Sequence, residues 1–173
     1  RFLIGGYTNT NSANPQDAFI ASIDTSGNFS VKRKLASATA SEKITGLVVD
    51  GTNIYFSMEV ATTATEQDIN VAFGKASLGV NAITIDFIKQ YTNVAYSFIN
   101  SSLCIDEFDE LYIPATCRQK SDDATKDSLW IGKVKADGDL IWNYRYLAPG
   151  RDIDLVSKCA IDIFGDLNVA FTR

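Results

Sequence analysis

The sequence repeats itself with a fixed period, and this feature constrains the fold more than any other. Short apolar segments that end in aspartate occur at 47–50, 103–106 and 159–162. Their last residues are Asp50, Asp106 and Asp162, so 106 − 50 and 162 − 106 both equal 56. A fixed period indicates an array of one supersecondary unit, in which neighbouring units bury surfaces that a single unit leaves exposed.

Each unit reads as four short strands separated by turn-forming residues. A second apolar strand follows the turn after each recurring aspartate. A polar stretch rich in Ser, Thr, Asn and Asp comes next and ends at Asp17, Asp68 or Asp127, before the third strand. Apolar residues alternate in the fourth strand, at 83–87 and 140–146. Because no segment carries a helical period, the sequence predicts an all-β fold.

A four-stranded antiparallel unit at this period is typical of a β-propeller blade. We therefore predict that residues 1–173 form part of a single β-propeller domain. The predicted units are a partial blade at 1–43, full blades at 44–99 and 100–155, and a partial blade at 156–173. Since propellers have about four to eight blades, we expect an incomplete arc of a larger ring. Further blades of the same longer chain, or of other copies, would complete it. Trp130 and Trp142 are expected in the core between blades.

Two segments resemble the SBBP-type β-propeller repeat, whose units read approximately DAFVAKLDPSGN. Residues 17–28, DAFIASIDTSGN, match this pattern, and residues 129–142, LWIGKVKADGDLIW, repeat it with a Trp after the glycine turn. The family's VDxxGNIYVTG half is similar to residues 105–112 and, more loosely, to 49–55. The middle unit departs at 73–78, where the expected Asp is missing. The resemblance covers nearly the whole chain. It implies a propeller of an extracellular or surface protein and carries no catalytic residue over.

Composition excludes several kinds of site. The chain has no histidine, which removes His-based triads and His-ligated metals. Cys104, Cys117 and Cys159 are too far apart for a CxxC motif, and plain buried thiols are expected. The net charge of −5 argues against a nucleic-acid partner. No run approaches the roughly 18 apolar residues of a membrane helix. We therefore expect no metal, no cofactor, no nucleic acid and no membrane insertion.

The aspartates before the third strands, Asp17, Asp68 and Asp127, are the candidate binding residues. They end the loops that join strands two and three, on the propeller face that often carries binding surfaces. The Ser, Thr and Asn side chains of 8–16 and 121–125 are suited to hydrogen bonds with sugars or a protein partner. The alternative is that each aspartate only forms a turn in a solvated loop.

A second set of aspartates, Asp50, Asp106 and Asp162, follows strand one. A ring of these carboxylates would bind a cation near the channel. Because each comes from a different blade, we expect them instead to accept hydrogen bonds from the amides of the turn that follows.

The predicted function is a non-enzymatic structural or binding module of a secreted or cell-surface protein, with a protein or glycan ligand. The modular repeat favours this, as does the lack of a GxSxG elbow, a P-loop or a GxGxxG fingerprint. Sequons at Asn28 and Asn100 permit a secreted glycoprotein. Two alternatives remain: a fragment of a propeller enzyme, a glycosidase or lyase that uses carboxylates or Tyr, and a quinoprotein-like propeller. The AxDxxTGxxxW pattern of quinoproteins resembles residues 135–142 only faintly.

Overall fold

The computed structural model of the chain describes residues 2–8, 16–35, 41–61, 68–99, 101–120, 127–147 and 155–172, except for the side chain of residue 157. Within these ranges every regular element is a β-strand. The predicted all-β fold is therefore confirmed. In the same ranges, no helix is long and apolar enough to cross a bilayer.

In the described ranges, fourteen strands pair with close neighbours in sequence. They are β1 Phe2–Thr8, β2 Asp17–Ile23, β3 Phe29–Leu35, β4 Ser41–Asp50, β5 Asn53–Ala61, β6 Ile69–Leu78, β7 Ile83–Tyr91, β8 Tyr96–Ile99, β9 Cys104–Ile105, β10 Leu111–Gln119, β11 Ser128–Val134, β12 Leu140–Tyr146, β13 Leu155–Ile161 and β14 Leu167–Thr172. They form four antiparallel sheets, numbered here in chain order. Sheet 1 has the order β1-β2-β3 and sheet 2 the order β4-β5-β6-β7. Sheet 3 has the order β12-β11-β10-β8, with β9 also paired to β10, and sheet 4 is β13-β14.

Sheets 2 and 3 begin at earlier residues than the corresponding predicted units. β4 begins at Ser41, before residue 44. β8 lies within the predicted unit 44–99, yet it pairs with β10 of sheet 3. The reason is that the apolar run that marks the first strand of a unit covers only its second half. The first half of β4, which includes Glu42 and Lys43, is polar and carries no such signal.

The first strand of each later sheet contains one extra residue at the same repeat position. In β4 the register shifts between Ile44 and Gly46, and in β13 it shifts between Val156 and Lys158. In sheet 3 the strand divides into β8 and β9 opposite β10. There the amide of Ser102 donates to the carbonyl of Pro114 at 2.9 Å, which leaves Ser101 as the extra residue. Bulges of this kind bend a strand and increase its twist. The bulge is therefore a property of the repeat rather than of one sheet.

Three apolar cores lie between the four sheets. The first joins Ile20 of sheet 1 to Phe56 of sheet 2, and the second joins Phe73 of sheet 2 to Trp130 of sheet 3. A smaller third core contains Leu129 of sheet 3 with Val156, Val169 and Phe171 of sheet 4. The two central sheets therefore bury apolar residues on both faces. Since an isolated sheet cannot do this, each depends on its neighbours for stability.

A glycine allows one of these cores to close. Phe56 and Gly74 face each other across β5 and β6, and the Phe56 ring occupies the space where a Cβ at residue 74 would lie. Phe56 is fully buried in the core between sheets 1 and 2. The missing Cβ thus admits a large ring that a side chain at this position would displace.

Candidate functional site

The candidate aspartates share one end of the sheets, which we call the polar end. β2, β4, β6, β8 and β11 begin there, and the strands before them in the chain end there. Of the connections that leave from it, 92–95 is described, and 9–15, 36–40, 62–67, 121–126 and 148–154 lie outside the described residues. The same is true of sequon residue Asn100, whereas Asn28 is described and exposed. We predicted that the side chains of 8–16 and 121–125 contact a ligand. Of these residues, the structure describes only Thr8 and Gln16.

Asp17 forms an ion pair within sheet 1. Its carboxylate lies 2.5 Å from Lys34 Nζ, and the aspartate side chain is only 9% exposed while the lysine side chain is 51% exposed. Thr8 Oγ1 donates to the Asp17 carbonyl at 3.4 Å. The pair ties the start of β2 to the end of β3. Lys34, one of the basic residues of β3, is thus the partner of the candidate Asp17.

Asp68 connects two sheets instead of two strands. It lies just before β6 in sheet 2 and pairs with Lys120, which follows β10 of sheet 3. The amide of Lys120 donates to the carbonyl of Ala95, just before β8, at 2.9 Å. This backbone bond holds the lysine at the polar end, within reach of the neighbouring sheet.

Asp127 receives a forked contact from Arg118. Arg118 Nε lies 3.2 and 3.1 Å from the two carboxylate oxygens, and Nη2 lies 2.7 Å from Oδ2. The two residues are neighbours across β10 and β11, because Cys117 faces Ser128 one position earlier. Such bidentate pairing fixes the orientation of both side chains. Since Arg118 is largely exposed, the pair contributes at most about 1 kcal/mol to stability.

All three candidate aspartates are therefore held by cations at the polar end, and they are not brought together into one cluster. The sequence repeat identified the aspartates but missed Lys34, Lys120 and Arg118. No repeat signal could have found these cations, because they occupy different positions in their units. The alternative, a turn-forming role, stays a prediction, because the loops that precede these aspartates lie outside the described residues.

A further polar network crosses sheet 3 at the polar end. Arg145 of β12 donates from Nε to Ser128 Oγ at 2.7 Å and from Nη1 to the Tyr96 hydroxyl at 2.5 Å. Its guanidinium also lies 4.2 Å from the centre of the Tyr96 ring. Ser128 Oγ in turn donates to the Cys117 carbonyl at 3.1 Å. These contacts place a planar cation and an aromatic ring side by side on rigid strands.

Buried carboxylates are spread over different layers. Asp17, Glu42 and Glu59 are the acidic residues buried within the described ranges. Strand register places Glu42 on the face of sheet 2 that packs on sheet 1 and Glu59 on the opposite face, with Val71. Asp17 lies on the face of sheet 1 opposite Ala18, away from sheet 2. Within the part of the chain that the structure describes, no three His, Cys, Asp or Glu side chains are close enough to hold a metal ion.

The opposite end of the sheets consists of tight aspartate turns. Asp106 Oδ1 accepts from the amides of Phe108 and Glu110, both at 2.9 Å. Asp162, 56 positions later, accepts the equivalent two amides at 2.9 and 3.0 Å. These amide bonds lower the pKa of Asp162. The expected turn-amide role is confirmed at both residues. Asp50 differs because its shorter turn, with Gly51 at φ 57°, pairs it directly with Asn53.

The face of sheet 2 that points toward sheet 3 is covered by sheet 3. The equivalent face of sheet 3 is exposed at the same repeat position. In sheet 2 the row Tyr55, Lys75 and Phe87 packs against sheet 3, and the Phe87 ring lies against Gly138. The equivalent row in sheet 3 ends at Trp142, which is 41% exposed and makes an edge-to-face contact with Tyr112, at 6.1 Å between ring centres. The lysine lies over the tyrosine ring in both rows.

The expectation of two tryptophans between sheets is thus half correct. Trp130 is buried between sheets 2 and 3, as predicted. The prediction for Trp142 is wrong for the described chain, because sheet 4 has only two strands and covers only the other part of this face. The exposed row on β12 comprises Trp142, Tyr144 and Tyr146. Leu140 is also exposed, but a register shift pairs it with Val134 of the opposite face, which packs toward sheet 2.

No family model matches the chain, and no curated protein matches it either.

Proposed function

We propose that the chain is an arc of a β-propeller of the SBBP type and that it serves as a non-enzymatic glycan-binding module of a secreted or cell-surface protein. The polar end is the proposed binding surface. The observation that carries this proposal is the arrangement of ion pairs and an aromatic ring at that end: Asp17–Lys34, Asp68–Lys120, Arg118–Asp127 and Arg145 on Tyr96.

Repeat-equivalent contacts between sheets support the propeller arrangement. Ser41 Oγ accepts the amide of Gln16 at 3.2 Å, and Ser97 Oγ accepts the amide of Ile69 at 3.3 Å. Ser41 and Ser97 are 56 positions apart, and each receives its bond from the preceding sheet. The two acceptors occupy equivalent positions, whereas the donors lie before Asp17 and after Asp68. Equivalent acceptors at successive sheet boundaries favour one repeated relation between sheets, as blades have.

Two properties of the polar end support a glycan ligand. The ion pairs and the Tyr96 ring provide donors, acceptors and an apolar surface, which is the combination that sugar rings require. The connections at this end are rich in Ser, Thr and Asn, whereas the turns at the other end are short and formed by aspartate. Polar loops on a rigid scaffold commonly carry binding.

Binding is tested on a glycan array followed by titration with the retained oligosaccharide. We expect retention without turnover, and we expect the double variant Arg118→Ala/Asp127→Ala to weaken binding about tenfold, roughly 1.4 kcal/mol. The control is Asn81→Ala, an exposed residue in the turn between β6 and β7 at the opposite end. Hydrolysis of the retained glycan, equal loss in the control, or no retention of any glycan contradicts the proposal.

We further propose that additional blades, from the same longer chain or from other copies, cover the exposed row on β12. The coverage of Phe87 by the turn at Gly138 supports this, because Trp142 is its equivalent. The free edges of β1 and β14 support it as well, since uncovered edges favour strand pairing.

Sedimentation velocity of the purified chain tests this association. The expected result is a species larger than the monomer, which Trp142→Glu shifts toward the monomer. Val80→Glu is the control, because Val80 is also exposed and apolar but lies in a turn. A single monomeric species, or an equal shift in the control, argues against association through β12.

A further inference from the structure

Two cysteines that are 159 − 104 = 55 residues apart in sequence meet between sheets 3 and 4. Cys104 lies in β9 and Cys159 in β13, and these two strands contact each other. Strand register places Cys104 with Tyr112 on the face of sheet 3 that meets sheet 4, and Cys159 with Val169 on the face of sheet 4 that meets sheet 3. Cys159 Sγ lies 3.8 Å from Ser102 Oγ, two residues before Cys104 on the same face. Both cysteines are free thiols. Strands of two different sheets thus direct the two side chains to one boundary.

We propose that Cys104 and Cys159 form a redox-active thiol pair that closes into a disulfide joining sheets 3 and 4. The pair is asymmetric in a way that assigns each sulfur a role. Cys104 is buried, whereas Cys159 is partly exposed. An incoming oxidant therefore reaches Cys159 first, and Cys104 is the resolving thiol.

Protonation follows the same asymmetry. The hydrogen bond from Cys104 lowers the pKa of Cys159, with further lowering by Ser102 and by the charge of Lys158, while burial opposes it. The same hydrogen bond, together with burial, raises the pKa of Cys104. The Cys159 thiol therefore ionises more readily than the Cys104 thiol and supplies the nucleophile.

The reaction is a thiol–disulfide exchange with a low-molecular-weight disulfide, for which glutathione disulfide is the probe. The Cys159 thiolate attacks one sulfur of the probe, forms a mixed disulfide and releases one glutathione thiolate. Cys104 then loses its proton to the solvent and attacks the Cys159 sulfur, which releases the second glutathione. Two protein thiols are oxidised by two electrons, and one probe disulfide is reduced to two thiols.

Cys117 is the internal control. It is buried among Phe98, Leu111 and Trp130 in the core between sheets 2 and 3, and burial raises the pKa of its thiol. Burial and a raised pKa make a thiol unreactive. Cys117 is therefore expected to remain reduced under conditions that oxidise the pair.

The experiment treats the reduced chain with glutathione disulfide, alkylates the remaining thiols and maps them by mass spectrometry. Trypsin leaves Cys104 and Cys117 on one peptide, so cleavage at the acidic residues between Asp106 and Glu110 is added to separate them. The expected product is one Cys104–Cys159 disulfide per chain with Cys117 alkylated. A stable glutathione adduct on Cys159, a Cys117 disulfide, or a disulfide only between two chains overturns the proposal.

Single variants test the order of the two steps. Cys104→Ser is expected to trap glutathione on Cys159, Cys159→Ser to leave Cys104 unmodified, and Cys117→Ser to form the disulfide as the parent chain does. If circular dichroism shows that a variant is unfolded, the order of the two steps is read instead from the time course of the parent chain. A mixed disulfide at Cys159 that rises and then decays supports the proposal, and an adduct on Cys104 before any on Cys159 overturns it.

Discussion

Thr45 and Ser101 share a hydrogen bond between their side-chain oxygens, at 2.5 Å, across the boundary of sheets 2 and 3. They are 56 residues apart, so they occupy the same position of two successive repeats. Each is the extra residue of a β-bulge in the first strand of its sheet. Because a bulge redirects the side chain at that point, the repeated bulge turns one hydroxyl toward the next. A local irregularity thus becomes a contact between sheets.

Thr45→Val is expected to destabilise the chain by about 1 to 3 kcal/mol, because it leaves the buried Ser101 hydroxyl without this partner. Ser57 Oγ, 3.3 Å from Thr45 Oγ1, loses a contact as well. Urea unfolding of the single variants and of Thr45→Val/Ser101→Ala measures the coupling, expected at roughly 0.5 to 1.5 kcal/mol. Thr52→Val, in an exposed turn, is the control. Additive effects of the two substitutions would show that the bond contributes nothing.

Gly74→Ala is expected to lower the free energy of unfolding by roughly 1 to 3 kcal/mol, because the new methyl group meets the ring of Phe56. Phe56 is enclosed in the core between sheets 1 and 2 and has no free space to move into. The control is Gly51→Asn, since no atom lies within 4 Å of a Cβ at this turn position and Asn tolerates its positive φ. Chemical denaturation checks both variants, and equal stability of Gly74→Ala and the parent chain contradicts this packing.

The turn at Asp162 is expected to weaken in acid. The amides of Asp166 and Phe164 depress the pKa of this carboxyl in the folded chain. A depressed folded pKa adds stability above the unfolded value of about 3.9 and loses it as the pH falls through the folded value. The parent chain should therefore melt at a higher temperature than Asp162→Asn near neutral pH, and the two curves should converge in strong acid. A melting difference that is the same at both pH values would exclude a role for the charge.

The contact between sheets 2 and 3 is expected to weaken in alkali. Tyr91 donates its hydroxyl proton to the Gly138 carbonyl at 2.6 Å, and burial, with Asp139 and Asp137 nearby, raises its pKa to about 12. A raised folded pKa gives stability that is complete below about pH 10 and is lost as the pH rises through 12.

Tyr91→Phe should lack this alkaline component and lose about 0.5 to 1.5 kcal/mol of stability at neutral pH. Urea unfolding at a series of pH values measures both effects. Tyr144→Phe is the control, because Tyr144 is 61% exposed. An alkaline loss of equal size in Tyr91→Phe would assign it to another group.

Sequence alone predicted the strands because local chemistry encodes them. Alternating apolar residues, such as Ile83, Ile85 and Phe87, indicate strands. The spacing of Asp106 and Asp162 indicated equivalent turns, and both turns form with the same amide bonds. The split of one strand into β8 and β9 was missed, because the bulge at Ser101 leaves no apolar pattern.

The candidate site was predicted only in part. Asp17, Asp68 and Asp127 recur in the repeat and were found, whereas their cations belong to no repeat position. Lys120 reaches Asp68 from another sheet, 52 residues away in sequence. Arg145 reaches Tyr96 over 49 residues. Such pairs depend on how sheets are stacked, and spacing along the chain does not encode that stacking.

Strand alternation and turn chemistry were therefore determined by the sequence itself, since each depends on residues within a few positions of one another. Tertiary structure alone decided that the strands of Cys104 and Cys159 come into contact, that Thr45 meets Ser101, and that Phe87 is covered while Trp142 is exposed. The physical reason is that a strand's pattern states which face is apolar but not what covers that face. Contact across sheets is fixed only when the sheets pack together.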